Sequence, residues 1–428
     1  MSTVTTTNSP AVISGYVVKE ATKAFMNSRL FSGFVRNEYR SDFEERGAKK
    51  GDTIFVRRPA QFRVRTGAGM EIQDVHEDKV AVTLPEQKGV DFEFSARELT
   101  LDIDKGGSEY SKRFIRPAGS ALASDFDATG LQKAALVAGS VVISGTSDTN
   151  EQLYGKFLDA KALLNKFLAP KNPMERMAFV GSDVENRLTN SVKQLYNNAN
   201  AISKAIKDGT IQDVAGLTWG STDLAYVHVN GGGGTTFTVA ATIVPDYDNL
   251  TQWIQYTGAS GLAVGDTIEF ADSNFVNPET KADYGKKLQR KILGLKTVSG
   301  DKFALVYSIR PIVDPIPGVN PAEERKQAAM ANCTALPATT ASVLGVATKS
   351  YLCCPVLHKD AMVLTNVDLA RPTKSVEMVN SINYKNVVIR FIEAYSVGTD
   401  QFPDRLDMLG VFTALLPEWI VDVEIQMD

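Results

Sequence analysis

Cysteine and histidine are scarce in this chain, three of each among 428 residues. The cysteines, Cys333, Cys353 and Cys354, are odd in number and two are adjacent. That argues against a disulfide framework and fits a reducing compartment. No Cys-x-x-Cys pair is present, so the spacing of a structural zinc site is missing. His76, His228 and His358 are scattered, and an activated thiol would need a neighbour that lowers its pKa. There is no excess of positive charge either: 46 Lys and Arg against 50 Asp and Glu leave a net charge of −4. A surface built wholly for nucleic acid or for an anionic membrane would be basic. No run approaches the roughly 20 apolar residues of a membrane span. Residues 1–10 are rich in Ser and Thr and lack the basic and apolar parts of a signal peptide, so a flexible arm is expected there. The Asn332-Cys333-Thr334 sequon is therefore read as chance.

What the chain has is bulk. A hydrophobic content of 43% over this length supports a sizeable core and suggests two or three domains. Residues 12–34 read as a helix, with Val17, Ala21, Ala24, Phe25, Leu30 and Phe31 at roughly helical spacing. Gly51-Asp52 turns into a β run at 53–59. Alternation resumes at 79–84 and 90–94, with Thr66-Gly67-Ala68-Gly69 as a hairpin tip. The hairpin carries Arg57, Arg58, Arg63 and Arg65. An isolated hairpin is marginal in water, so this one is expected to lie on something else. Its arginines form either a solvated face or a basic arm pairing with carboxylates, for which Glu38, Asp42, Glu44 and Glu45 are candidates in the same or a neighbouring chain.

Residues 108–139 form a long helical pattern in which Pro117 marks a kink or a start. After a polar loop at 145–150, a second helix is expected at 151–168, then a short strand at 177–180. A further helix is expected to be capped by Ser182 with Glu185 in a capping box. From 223 to about 332 the composition turns to Gly, Thr, Val and Asp. Strands are expected at 235–244, 266–270 and 302–310, and helical spacing only at 283–293. This segment reads as an inserted small β-barrel. The string GDTI, at Gly51 and again at Gly265, is one turn-to-strand device used twice. Strands follow at 386–395 and 409–416.

No motif carries chemistry. The 231–234 glycine run lacks the Lys and helix of a P-loop. Asp102 and Asp104 resemble only a fragment of a calcium loop. His358-Lys359-Asp360 reads as an ordinary loop, and Cys353-Cys354 as core. No catalytic residue, cofactor or metal site is expected.

The strings GDTIFVRRP, VDFEFSARELTLDID and SEYSKRFIRPAGSALASDFDATGLQKAAL resemble the E-loop, return strand and spine helix of tailed-phage coat proteins with the Hong Kong 97 fold. KAIKDGTIQDVAGLTWGSTDLAYV, LAVGDTIEFADSNFV, GDKFALVYSIRPIV and SINYKNVVIRFIEAYSVGTDQFPDRLDMLGVFTALLPE narrow the resemblance to the P22 type, whose coat proteins carry an inserted domain. The order and spacing of these strings across most of the chain carry the resemblance more than any one of them.

The resemblance implies an α+β Hong Kong 97-like capsid fold. An N-terminal arm would span 1–38, an E-loop 51–89, and a peripheral domain 39–50, 90–150 and 381–428. An axial domain would hold 151–222 and 336–380, and a β-barrel would be inserted at 223–335. It further implies a major capsid protein assembling through pentamers and hexamers around double-stranded DNA contacted non-specifically. Scaffolding and portal proteins would be partners, assembly would take place in the host cytoplasm, and there would be no membrane partner. In the P22 type, acidic residues on the first helix help bind scaffold. Here Lys19 stands beside a single acid, Glu20, which is the scaffold-binding candidate. A nanocompartment shell of the same fold, another virion structural protein, and an enzyme with an unobvious site are the rival readings.

Overall fold

A computed structural model of the chain describes residues 10–39, 53–57, 67–70, 79–83, 87–95, 111–195, 216–239, 251–258, 261–280, 282–309, 331–332, 340–372 and 378–427. The chain is α+β and divides into two compact units, one of residues 1–54, 82–130 and 363–413, the other of 55–81, 131–362 and 414–428.

The first unit is built on a sheet in the order Arg36–Tyr39, Met362–Val367, Gln401–Ala414, Val387–Glu393, Met378–Tyr384, with Lys88–Ser95 also pairing along Gln401–Ala414. The N-terminal helix, Pro10–Ser28, packs on the edge strand Met378–Tyr384. Its buried stripe is Val17, Val18, Ala21 and Phe25. Against it lies the start of the long helix Arg116–Val137, preceded by a π-helical turn at Ser111–Ile115. Pro117 therefore lies in the first turn of the α-helix, directly after the π-helical turn. Close approach of the two helices needs Gly119. A Cβ there would stand 2.6 Å from the Ala21 carbonyl oxygen. The rings of Phe25 and Phe126 (6.3 Å), Phe31 and Phe412 (5.5 Å) and Phe126 and Phe412 (6.4 Å) fill the core in edge and tilted contacts.

The second unit holds a mixed sheet in the order Ser140–Ser144, Ile420–Gln426, Ser350–His358, Arg176–Val180, Thr218–Ser221, with Val227–Val229 also on Ser350–His358. Helix Asn150–Lys166 covers it. The capping box belongs to this helix: Thr149 and Gln152 cap each other reciprocally. It does not belong to the helix Ser182–Leu195, where Ser182 is the first helical residue and bonds Asp223 instead. Arg176, 1% exposed, donates to the carbonyls of Ala169 and Pro170 and to Asn165 Oδ1. It thereby satisfies acceptors at the C-terminal end of helix Asn150–Lys166, where a cation is favoured.

The same unit contains a closed six-stranded barrel. Asp283–Val298, Asp301–Tyr307, Thr251–Thr257, Thr236–Val239, Thr340–Val343 and Thr267–Val276 pair in turn, and the last pairs with the first. Phe237, Ile254, Ile268, Phe270, Ile292, Val306 and Ala341 are buried, in a core continuous with that of the sheet.

Four expectations need correction. Residues 283–293 are strand, not helix. Leu288 and Ile292, four apart, mimic a helical stripe. Both faces of this strand are buried over Leu288 to Ile292, and a register shift follows at Ile292/Gly294, so no period of two is visible. The barrel does not end at 335, because Thr340–Val343 is one of its strands. Nor does it begin at 223, because Val227–Val229 pairs in the mixed sheet. Finally, 381–428 is not one piece: Gln401–Ala414 joins the first unit's sheet and Ile420–Gln426 the second's.

Candidate functional site

The two strands of the expected hairpin pair: Thr53–Arg57 and Lys79–Thr83 form a two-stranded sheet, and residues 67–70 are exposed. Arg57 ends the first strand. Arg58, Arg63 and Arg65, together with the side chains of Arg57 and Glu38 and with Asp42, Glu44 and Glu45, lie outside the described residues. So do His76, Asp102, Asp104 and Cys333.

Glu20 is placed differently from a free docking carboxylate. It is 5% exposed, and both its oxygens are engaged. Lys23 Nζ donates to Oε1 at 2.7 Å, and Arg116 donates to Oε2 from Nη2 at 2.9 Å and from Nε at 3.2 Å. Lys23 and then Arg116 hold its carboxyl below the usual range. The expected scaffold-binding acid is thus neutralised by its own chain. Helical spacing could not reveal this, because Arg116 lies 96 residues away.

Asp127, on the long helix, is a second anchor. Its Oδ2 accepts from the backbone N–H groups of Leu30 (2.5 Å) and Phe31 (3.1 Å), and its Oδ1 accepts from Ser32 (2.8 Å). It fixes the chain where the N-terminal helix ends and the short helix Phe31–Phe34 starts.

In the second unit, buried charge joins barrel to sheet. Lys291, on a barrel strand, is 3% exposed, and its ammonium lies 2.5 Å from Asp422 Oδ2 and 2.8 Å from Glu424 Oε1. Both acids sit on the C-terminal strand, on the face opposite Val421, Val423 and Ile425, which enter the apolar core. Thr267 Oγ1 also donates to Glu424 at 3.4 Å. Burial pulls the Lys291 pKa down, but Asp422 and Glu424 outweigh it and hold the ammonium well above its ordinary value. Burial, with Glu424 beside it, pushes Asp422 up against the opposing pull of Lys291. Asp422 and Glu424, two residues apart in an otherwise apolar strand, are the signal in sequence that was missed.

Cys353 Sγ and the Asp422 and Glu424 oxygens lie within 4.8 Å of one another, the one such group among the described residues. Lys291 already supplies the positive charge there, and a metal ion would have to evict it. Burial pushes the Cys353 thiol well up and the Cys354 thiol to about 12, so both stay protonated and unreactive at neutral pH.

The second GDTI string works through its acid. Asp266, fully buried, accepts from His228 Nε2 (2.9 Å) and from the backbone N–H groups of Gly231 (3.0 Å), Gly232 (3.0 Å) and Ala263 (2.9 Å). Burial raises its pKa, yet His228 and the three N–H donors hold it below the usual range. The glycine run thus binds this chain's own carboxylate. His358 is likewise structural. It ends its strand 1% exposed, its Nδ1 accepts from the Asp360 N–H at 3.2 Å, and its ring lies edge-on to Trp419 at 5.3 Å. No helix among the described residues is long and apolar enough to cross a membrane.

The family model described as P22 coat protein, gene protein 5, matches residues 5–420. No individual curated protein matches the chain. Among solved structures, one from Mycobacterium phage Che8 is similar at 10% identity, covering 92% of this chain and 90% of that one with a TM-score of 0.43. The capsid of Cyanophage P-SCSP1u is similar at 10% identity, with coverage of 91% and 85% and a TM-score of 0.46. A virus-like particle from Pyrococcus furiosus is similar at 8% identity, with coverage of 96% and 98% and a TM-score of 0.42.

Proposed function

We propose, from the premise that this chain belongs to the P22 coat protein family, that it is a phage major capsid protein that closes an icosahedral head around double-stranded DNA through rings of five and six. The family match over nearly the whole chain carries the reading. A coat protein is a structural component, and its work is contact. One chain must make several non-identical contacts whose modest energies sum over a closed shell. The two-stranded hairpin suits that task, since such a ribbon has too little core of its own and gains stability on a neighbour's surface. In this reading the hairpin is the stem of the E-loop, and Arg57, Arg58, Arg63 and Arg65 meet carboxylates of the adjacent subunit. The long helix is the spine. The barrel is the inserted domain, held to the axial sheet by Lys291. Scaffolding and portal proteins are the assembly partners, and assembly takes place in the host cytoplasm.

Negative-stain imaging of the purified protein tests the reading. Angular shells of five- and six-membered rings are expected, and a monomer that never closes under any assembly condition refutes it. Arg57→Glu with Arg58→Glu is expected to slow assembly, most at low salt, where screening is weakest. Light scattering identical to wild type at every salt concentration would leave these arginines as a solvated face.

A further inference from the structure

The N-terminal helix and the turn before the long helix carry clustered, exposed positive charge. Tyr16, Lys19, Lys23 and Asn27 share one face of Pro10–Ser28, and all are exposed. Arg116 reaches this helix through Glu20 while its side chain stays 52% exposed. Lys112 and Arg113, in the π-helical turn just ahead of it, are exposed as well. In residues 16–28 and 111–120 Glu20 is the one acid, and it is buried between Lys23 and Arg116. Within these segments Lys19, Lys23, Arg113 and Arg116 therefore share one carboxylate, in a chain whose net charge is −4.

We infer that this face is a contact site for the phosphate backbone of double-stranded DNA. The inference rests on the coat reading, in which the shell encloses DNA, and it names the residues that meet it. Composition decides between DNA and an acidic protein segment. A protein interface needs an apolar or aromatic core. Among the exposed residues from Tyr16 to Ser28 the one aromatic is Tyr16 and none is aliphatic, too little for such a core, and beside the lysines they offer the hydroxyls of Tyr16 and Ser28 and the amide of Asn27. Phosphate contacts need only cations and such donors. Lys19 and Lys23, one helical turn apart at about 6 Å, are close enough to engage neighbouring phosphates of one strand. Glu20 is a positioning residue: it holds Lys23 and Arg116 side by side and lowers the net charge by one.

The test is fluorescence anisotropy of the full-length subunit with 20-base-pair duplexes of unrelated sequence, between 50 and 200 mM salt. Four engaged cations give a slope of log affinity on log salt of about −3.6, and two fewer flatten it by about 1.8. Lys19→Ala with Arg113→Ala removes two exposed cations that do not touch Glu20, so the fold is expected to hold. Weaker binding with that flatter slope, and unchanged binding by the Lys171→Ala control on the other unit, are the expected results. Wild-type affinity and slope in the double variant, with an unchanged circular dichroism spectrum, overturn the inference. So does binding of poly-glutamate, but not of duplex, that is lost in the double variant. Imaging the same preparations separates the two readings: shells that form while duplex binding ignores the patch refute the inference alone, and absence of shells refutes the coat reading.

Discussion

Replacing Lys291 with Met removes a positive charge from a place where no water can compensate for it. At 2.5 and 2.8 Å from Asp422 and Glu424, the ammonium gains about 6 to 7 kcal/mol of gross attraction to each carboxylate at an effective dielectric near 20. Desolvation of the three ions takes back several kcal/mol apiece, so the intact triad contributes little net stability. The asymmetry appears when one partner is lost. Two carboxylates then remain buried without a counter-ion, which costs about 3–5 kcal/mol. Urea unfolding at pH 7 is expected to show that loss. Amide exchange at Val141, whose N–H donates to Gln289 Oε1 on the barrel at 3.0 Å, is expected to quicken. The pH dependence identifies the cause. Without the ammonium the Asp422 carboxyl, which burial already pushes up, has a folded pKa still further above its unfolded one, so the folded state binds the extra proton. The stability this brings is present at low pH and is lost as pH rises. Acidification from 7 to 5 therefore narrows the gap to wild type, by at most about 1.4 kcal/mol per pH unit while that carboxylate takes up its proton. Lys291→Met with Asp422→Leu and Glu424→Met removes all three charges and is expected to recover most of the loss. A single variant within about 0.5 kcal/mol of wild type, or a triple variant no better than the single, would refute a charge-based junction.

Gly119→Ala puts a Cβ 2.6 Å from the Ala21 carbonyl oxygen and 3.2 Å from Ala24 Cβ. Overpacking of about 1–3 kcal/mol is expected to exceed the ~1 kcal/mol helix-propensity gain, lowering the urea midpoint without changing the slope. The Cys354 thiol, pushed up to about 12 from an ordinary 9.0, contributes stability that is complete below pH 9 and falls as pH rises towards 12. The loss is about 1.4 kcal/mol per pH unit, and Cys354→Ala is expected to flatten alkaline unfolding curves. A fragment of residues 230–348 is expected to give dispersed amide NMR signals. A fragment of 223–335, lacking the strand Thr340–Val343 that lies between Thr236–Val239 and Thr267–Val276, is expected to give a collapsed spectrum.

The sequence by itself determined the elements whose signals are local. Pro117 set the start of the long helix, Gly67 and the alternation on either side of it gave the hairpin, and the Gly- and Thr-rich segment announced a barrel. These follow from φ restriction, turn chemistry and the period of two, each readable within about ten residues. Only the tertiary structure decided where the barrel closes, because the partner of Thr236–Val239 lies about a hundred residues on. It also decided the nature of residues 283–293, where burial on both faces erases the strand period. The buried charges were decided the same way. Glu20 looks free in sequence and is covered by Arg116 from 96 residues away. Lys291 looks like one lysine among many in KKLQRK, yet it is tied to Asp422 across 131 residues. A charge can be buried only where an opposite charge or a full set of hydrogen-bond partners meets it, and that meeting is a property of the fold.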